Sequence, residues 1–90
     1  MDQPTRRYLF FGRVQGVGFR YTTAGLAREC GVLGYVRNRS DGSVELVVQG
    51  AEVDVDWLVT HLDAHFAGYI ERRTVEDWPG ETFAGFEVRR

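Results

Sequence analysis

The nine residues Gly12-Arg13-Val14-Gln15-Gly16-Val17-Gly18-Phe19-Arg20 hold the spacing in this chain best suited to binding an anion. Glycines let a backbone approach a ligand closely and adopt turns that other residues resist. A turn built on them points successive N–H groups outward, here those of Gln15, Gly16, Val17, Gly18, Phe19 and Arg20. A helix that starts just after it adds the partial positive charge of its N-terminus. Arg20 closes the run with a planar fork of donors matched to phosphate oxygens. The spacing alone leaves a plainer reading open, a glycine-rich connection followed by an exposed arginine. It is not a dinucleotide fingerprint. Gly16-Val17-Gly18 lacks a third glycine at the required offset, and no parallel unit with a suitable acid follows.

The basic residues narrow the chemistry further. All eleven are arginine and lysine is absent, which excludes a Schiff-base lysine and a Walker-type P-loop lysine. Residues 1–40 carry seven arginines against Asp2 and Glu29, whereas residues 41–90 carry four against eleven acids. Either a basic site near the amino end meets an anion, or the imbalance is compositional and the acidic half is simply solvated.

Other candidates carry less. His61 and His65 stand at i, i+4 of a helical stretch, but a zinc site needs a third protein ligand. Asp54 lies seven residues before His61, about 10.5 Å along a helix and too far to share an ion, so no metal site is expected. Trp57 and Trp78 read as packing aromatics, and Cys30 as a small buried hydrophobe. Glu71, Arg72, Arg73, Glu76 and Asp77 read as a solvated strand face. The single cysteine excludes an internal disulfide and fits a cytoplasmic setting.

These residues must be positioned by one small domain, since 90 residues leave no room for a second core. With 43% hydrophobic and 27% charged residues, the chain is too apolar to be disordered. No apolar run approaches the roughly 18 residues of a membrane helix. Residues 6–14 alternate as a strand whose two faces, Tyr8/Phe10 and Leu9/Phe11, are both apolar, so it is expected to be central. A helix is expected from about Tyr21, with Thr23, Leu26, Ala27 and Cys30 on one face and Gly31 as its stop. Residues 32–38 and 43–49 read as strands joined by an Asp-Gly turn, hence antiparallel neighbours. Residues 53–66 read as a second helix with a core stripe of Val55, Leu58, Val59, Leu62 and Phe66. Gly68 ends it, and residues 69–76 and 83–89 supply two more strands.

The order strand-helix-strand-strand-helix-strand predicts an α+β, ferredoxin-like split βαβ sandwich (βαββαβ), with two helices on one face of an antiparallel sheet. The first crossover makes the second strand parallel to the first, so both end at the same edge. That brings Asn38, the last residue of Gly34-Tyr35-Val36-Arg37-Asn38, near the 15–20 turn. As a strand-end asparagine, Asn38 could equally be making a turn hydrogen bond of its own.

Taken together, Gly12 to Arg20, Gly34 to Asn38, Asp41-Gly42-Ser43-Val44-Glu45 and Gly50 resemble the acylphosphatase family, and Phe86-Glu87-Val88-Arg89 resembles its closing strand. The likeness spans nearly the whole chain, in the family's order. It implies a single domain over residues 1–90 that hydrolyses acyl phosphates to carboxylate and phosphate. Arg20 and the backbone N–H groups of residues 15–20 would bind the phosphoryl oxygens, and Asn38 would orient the attacking water. The expected site ligands are the acyl phosphate, phosphate or other anions, with no metal, no cofactor, no nucleic acid and no membrane. A cytoplasmic monomer is expected. Two departures stand out. Ala67-Gly68-Tyr69-Ile70 lacks the Gly-Pro pair the family usually shows there, and Gly18 occupies a position that is bulky in some members.

Two rivals remain at this level. The RNA-recognition module shares the topology, and Tyr8-Leu9-Phe10-Phe11-Gly12 looks like its first-strand motif. However, that module needs aromatics on its third strand, where this chain has Ser43-Val44-Glu45-Leu46-Val47-Val48-Gln49. A net charge of −2 and a pI near 5.6 also disfavour it. An acylphosphatase-like domain also fronts the large hydrogenase-maturation carbamoyltransferases; a short chain with its own start argues for an independent enzyme instead.

Overall fold

The computed structural model describes residues 3–90. The elements are β1 (Thr5–Gly12), α1 (Phe19–Cys30), β2 (Leu33–Asn38), β3 (Val44–Gln49), α2 (Glu52–His65), β4 (Ile70–Asp77) and β5 (Phe86–Arg89). The strands form one sheet in the order β4-β1-β3-β2-β5. β3 pairs antiparallel with both β1 and β2, and β4 antiparallel with β1. This is the ferredoxin-like α+β arrangement the element order predicts. The appended β5 adds one parallel pairing, with β2.

Alternation along the strands sorts the side chains. Tyr8, Phe10, Val36, Val44, Leu46, Val48 and Phe86 meet the helices in one buried cluster with Phe19, Ala24, Ala27, Val55, Leu58, Val59 and Leu62. The whole predicted stripe of α2 is buried. The stripe of α1 is rotated slightly: Phe19, Thr23, Ala24 and Ala27 are buried, while Leu26 and Cys30 pack at its margin.

The helix start differs from expectation. α1 begins at Phe19, so Phe19 and Arg20 belong to its first turn and not to the loop. The first helical bond runs from Thr22 N–H to the Gly18 carbonyl at 3.0 Å. Gly18 caps the helix in a left-handed conformation without a side-chain bond, so the usual Ser/Thr/Asp/Asn cap signal is missing from the sequence.

The opposite sheet face carries a buried charge. Glu45, 2% exposed, sits on central β3 between Arg7 of β1 at 2.6 Å and Arg37 of β2 at 2.5 Å. Segment 78–85 then crosses from one sheet edge to the other. Arg7 lies over the Trp78 ring, and Phe83 meets Tyr35.

Candidate functional site

β1 and β2 both flank β3 in antiparallel register, so they run parallel and their C-terminal ends leave the sheet at one edge. The first turn of α1 lies there too. Between β1 and α1, Gly16 and Gly18 take φ of 76° and 82°. Left-handed backbone at such alternate positions turns neighbouring N–H groups towards a common centre. A methyl group at either glycine would meet nothing within 4 Å, so it is the backbone conformation, not space, that requires glycine there. Val14 and Phe19 are buried and pin the two ends of the loop to the core.

Three hydrogen-bonded braces set the geometry around this loop. The Gln15 side-chain amide donates to the carbonyls of Arg39 at 2.7 Å and Ser43 at 2.9 Å, tying the loop to the β2–β3 turn. The Arg20 guanidinium donates from Nη1 to the carbonyl of Arg89, at 3.3 Å, on β5. Arg13 N–H donates to the Tyr69 carbonyl at 2.9 Å. The turn into β4, remote in sequence, therefore abuts the start of the cradle. That turn closes without proline: Gly68 adopts φ 89°, and the Phe66 carbonyl accepts from Tyr69 and Ile70.

Arg20 and Asn38 line one cavity of about 150 Å³ with Gly16, Gly18 and Tyr21, over Val14 and Phe19. Asn38 is the last residue of β2, but the β2–β3 turn is capped by Asp41, not by Asn38. The Asp41 carboxylate accepts from the Ser43 hydroxyl at 2.6 Å and the Ser43 N–H at 2.9 Å, and these bonds hold its pKa below the usual value. The cavity lining contains no carboxylate, imidazole or thiol.

The front-loaded positive charge is mostly paired. Arg6 meets Glu52, Arg7 and Arg37 meet Glu45, and Arg39 meets Asp41. Among the described residues Arg20 pairs with no carboxylate, and of the arginines only Arg20 lines this cavity. A larger cavity of about 850 Å³ opens at the other end of the sheet, between Thr5, Gln49 and the 79–83 segment. Its charged side chains are Asp77 and Glu81, which repel an anion.

The weaker candidates are accounted for by packing. His61 and His65 are exposed; the His61 ring lies 4.0 Å from the Trp57 ring, and its Nδ1 is 2.8 Å from the Trp57 carbonyl. No group of three metal-binding side chains occurs among the described residues. Burial pushes the Cys30 thiol pKa up, away from thiolate chemistry. The residues sequence reasoning missed are the brace Gln15, treated only as a backbone donor, and Tyr21 at the cavity wall. Nothing in the run Val44–Gln49, read as a strand, signals that Glu45 is buried.

Residues 6–88 match the acylphosphatase family model. The acylphosphatase of Nostoc sp. is 42% identical over 99% of this chain and 90% of its own length. That of Trichormus variabilis is 45% identical over 88% of this chain and 79% of its own. The crystal structure of acylphosphatase from Bacillus subtilis superposes with a TM-score of 0.85 at 28% identity, covering 96% of this chain and 98% of that one.

Proposed function

The chain belongs to the acylphosphatase family and is a hydrolase of that class, and from that premise we propose a mechanism in which water attacks phosphorus inside the Gln15–Arg20 cradle. The observation that carries the reading is the meeting of Arg20 and Asn38 in one small cavity, walled by two left-handed glycines.

The substrate phosphoryl group sits among the N–H groups of Gln15, Gly16, Val17, Gly18, Phe19 and Arg20, with the Arg20 guanidinium on its oxygens. The α1 N-terminus adds its dipole. The Asn38 side-chain amide holds a water in line with the bond to be broken. The water oxygen forms a new bond to phosphorus as the P–O bond to the acyl oxygen breaks. The electron pair leaves with a carboxylate, and a phosphate oxygen takes the water's proton. The leaving carboxylate has a conjugate acid with a pKa of about 4, so no general acid is required. The transition state is loose, so no strong base is required either. Positioning and charge stabilisation remain, which suits a cavity lined by an arginine and an amide but no carboxylate or imidazole.

The same lining has no carboxylate, imidazole or thiol to anchor a catalytic divalent ion, and we read the reaction as metal-independent and cofactor-free. The RNA-recognition alternative is disfavoured by β3, whose non-helix face carries Glu45 locked between two arginines where a base-stacking aromatic would stand. Among the described residues no helix is long and apolar enough to cross a membrane. We read residues 1–90 as one catalytic domain acting as a cytoplasmic monomer, with residues 1 and 2 outside the described part.

Hydrolysis of benzoyl phosphate in ¹⁸O-labelled water, with and without a chelator, tests the mechanism. Label in the phosphate and a rate indifferent to the chelator are expected. Label in the benzoate would place the attack at carbon, and loss of activity with the chelator would contradict the metal-free reading.

A further inference from the structure

The cavity is small for a whole acyl phosphate. Its volume of about 150 Å³ is that of a cavity able to take one benzene-sized molecule, enough for a phosphoryl group and a water but not for an aromatic acyl group as well. The acyl group must lie outside, across the rim. Gly16 and Gly18 offer no side chain there, and the Arg20 guanidinium is drawn towards the Arg89 carbonyl.

Tyr21 is the large side chain at that rim. It lines the cavity yet is 73% exposed. Its position on α1 lies on the side away from the buried Phe19, Thr23 and Ala27, and it is not part of the core cluster. Its ring joins none of the ring–ring or cation–ring contacts found among the described residues. A single exposed tyrosine is ordinary on a protein surface. What distinguishes Tyr21 is its place beside Arg20, where the only part of the substrate left uncontacted must emerge.

We propose that Tyr21 is a specificity residue that packs its ring against the acyl group, so that acyl phosphates with flat aromatic or apolar acyl parts are preferred over small polar ones. This rests on the acyl-phosphate reading of the cavity. A ring laid against a ring or apolar group gains more than one laid against a methyl group, because the contact area is larger and the ring quadrupoles can align. Because the acyl group does not react, the contact is worth the same in ground and transition state and acts on kcat/KM through binding.

The test is the ratio of kcat/KM for benzoyl phosphate to kcat/KM for acetyl phosphate, measured in the wild-type protein, Tyr21→Ala and Tyr21→Phe. Tyr21→Ala is expected to lower the ratio about five- to tenfold, and Tyr21→Phe, which keeps the ring, to hold it within about twofold. A ratio unmoved in Tyr21→Ala, or lowered equally in Tyr21→Phe, would overturn the role of the ring while leaving the hydrolysis itself standing. Failure of the wild-type protein to hydrolyse either substrate would overturn the hydrolytic reading, and the specificity role with it.

Discussion

Gln15 reaches from the cradle to the turn that follows Asn38, its side-chain amide donating to the main-chain carbonyl of Arg39 across 2.7 Å. The same nitrogen serves the Ser43 carbonyl at 2.9 Å. One side chain thus fixes the distance between the loop that would hold the phosphoryl group and the strand end that would hold the water. Gln15→Ala should lower turnover about tenfold, since small misplacements of reacting groups are expensive, and should lower stability by about 1 kcal/mol. Gln15→Glu should lose more, because it sets a carboxylate against two carbonyl oxygens. Steady-state kinetics beside thermal melts check both.

Asn38→Ala should separate water orientation from phosphate binding. With the cradle intact, inhibition by inorganic phosphate should stay within a few-fold of wild type. Turnover should fall about a hundredfold, the scale of losing one transition-state donor. An inhibition constant that moved as far as kcat would instead make Asn38 a phosphate-binding residue.

Glu45 makes the fold sensitive to acid. Burial pushes its pKa up, but hydrogen bonds and charge from Arg37 and Arg7 outweigh burial and hold it below the ordinary 4.5. As pH falls below about 4.5, the unfolded chain takes up this proton before the folded one does, so stability rises with pH in that window. The contribution is complete above the unfolded value and is lost as pH falls through the folded one. Wild type should therefore lose melting temperature below about pH 4.5 more steeply than Glu45→Gln. At neutral pH Glu45→Gln should be about 2 kcal/mol less stable than wild type. That is less than for a fully buried pair, because the Arg37 side chain is 43% exposed.

Two glycines should respond differently to alanine. Gly34 has φ 137°, and a methyl group there would be driven into the Val47 carbonyl of the paired strand. Gly34→Ala should destabilise by about 3 kcal/mol or more. Gly18 has φ 82° but open space around it, so Gly18→Ala should lose only about 1 kcal/mol. Denaturant midpoints of the two variants test the contrast.

Much of this was legible in the sequence, for physical reasons. The stripe Val55, Leu58, Val59, Leu62 and Phe66 repeats at the helical period, and such repetition survives any tertiary context. The parallel relation of β1 and β2 follows from the helical crossover between them, and it places Asn38 beside the 15–20 turn. Other features depend on contacts between distant segments. The start of α1 at Phe19 rests on a left-handed glycine cap that leaves no side-chain signal. The bond from Arg13 to Tyr69 joins segments far apart in sequence. The burial of Glu45 needs arginines from two other strands. The arginine excess of the first forty residues was visible, but only the fold separates the paired Arg6, Arg7, Arg37 and Arg39 from Arg20 at the cavity.

On the proposed mechanism Arg20, held at the α1 N-terminus, stabilises the phosphoryl group as its bond to the acyl oxygen breaks. The most direct measurement is kcat/KM for benzoyl phosphate in Arg20→Ala, with circular dichroism to establish that the variant is folded. The expected loss is at least about a hundredfold. A folded Arg20→Ala protein that hydrolysed benzoyl phosphate at the wild-type rate would contradict it.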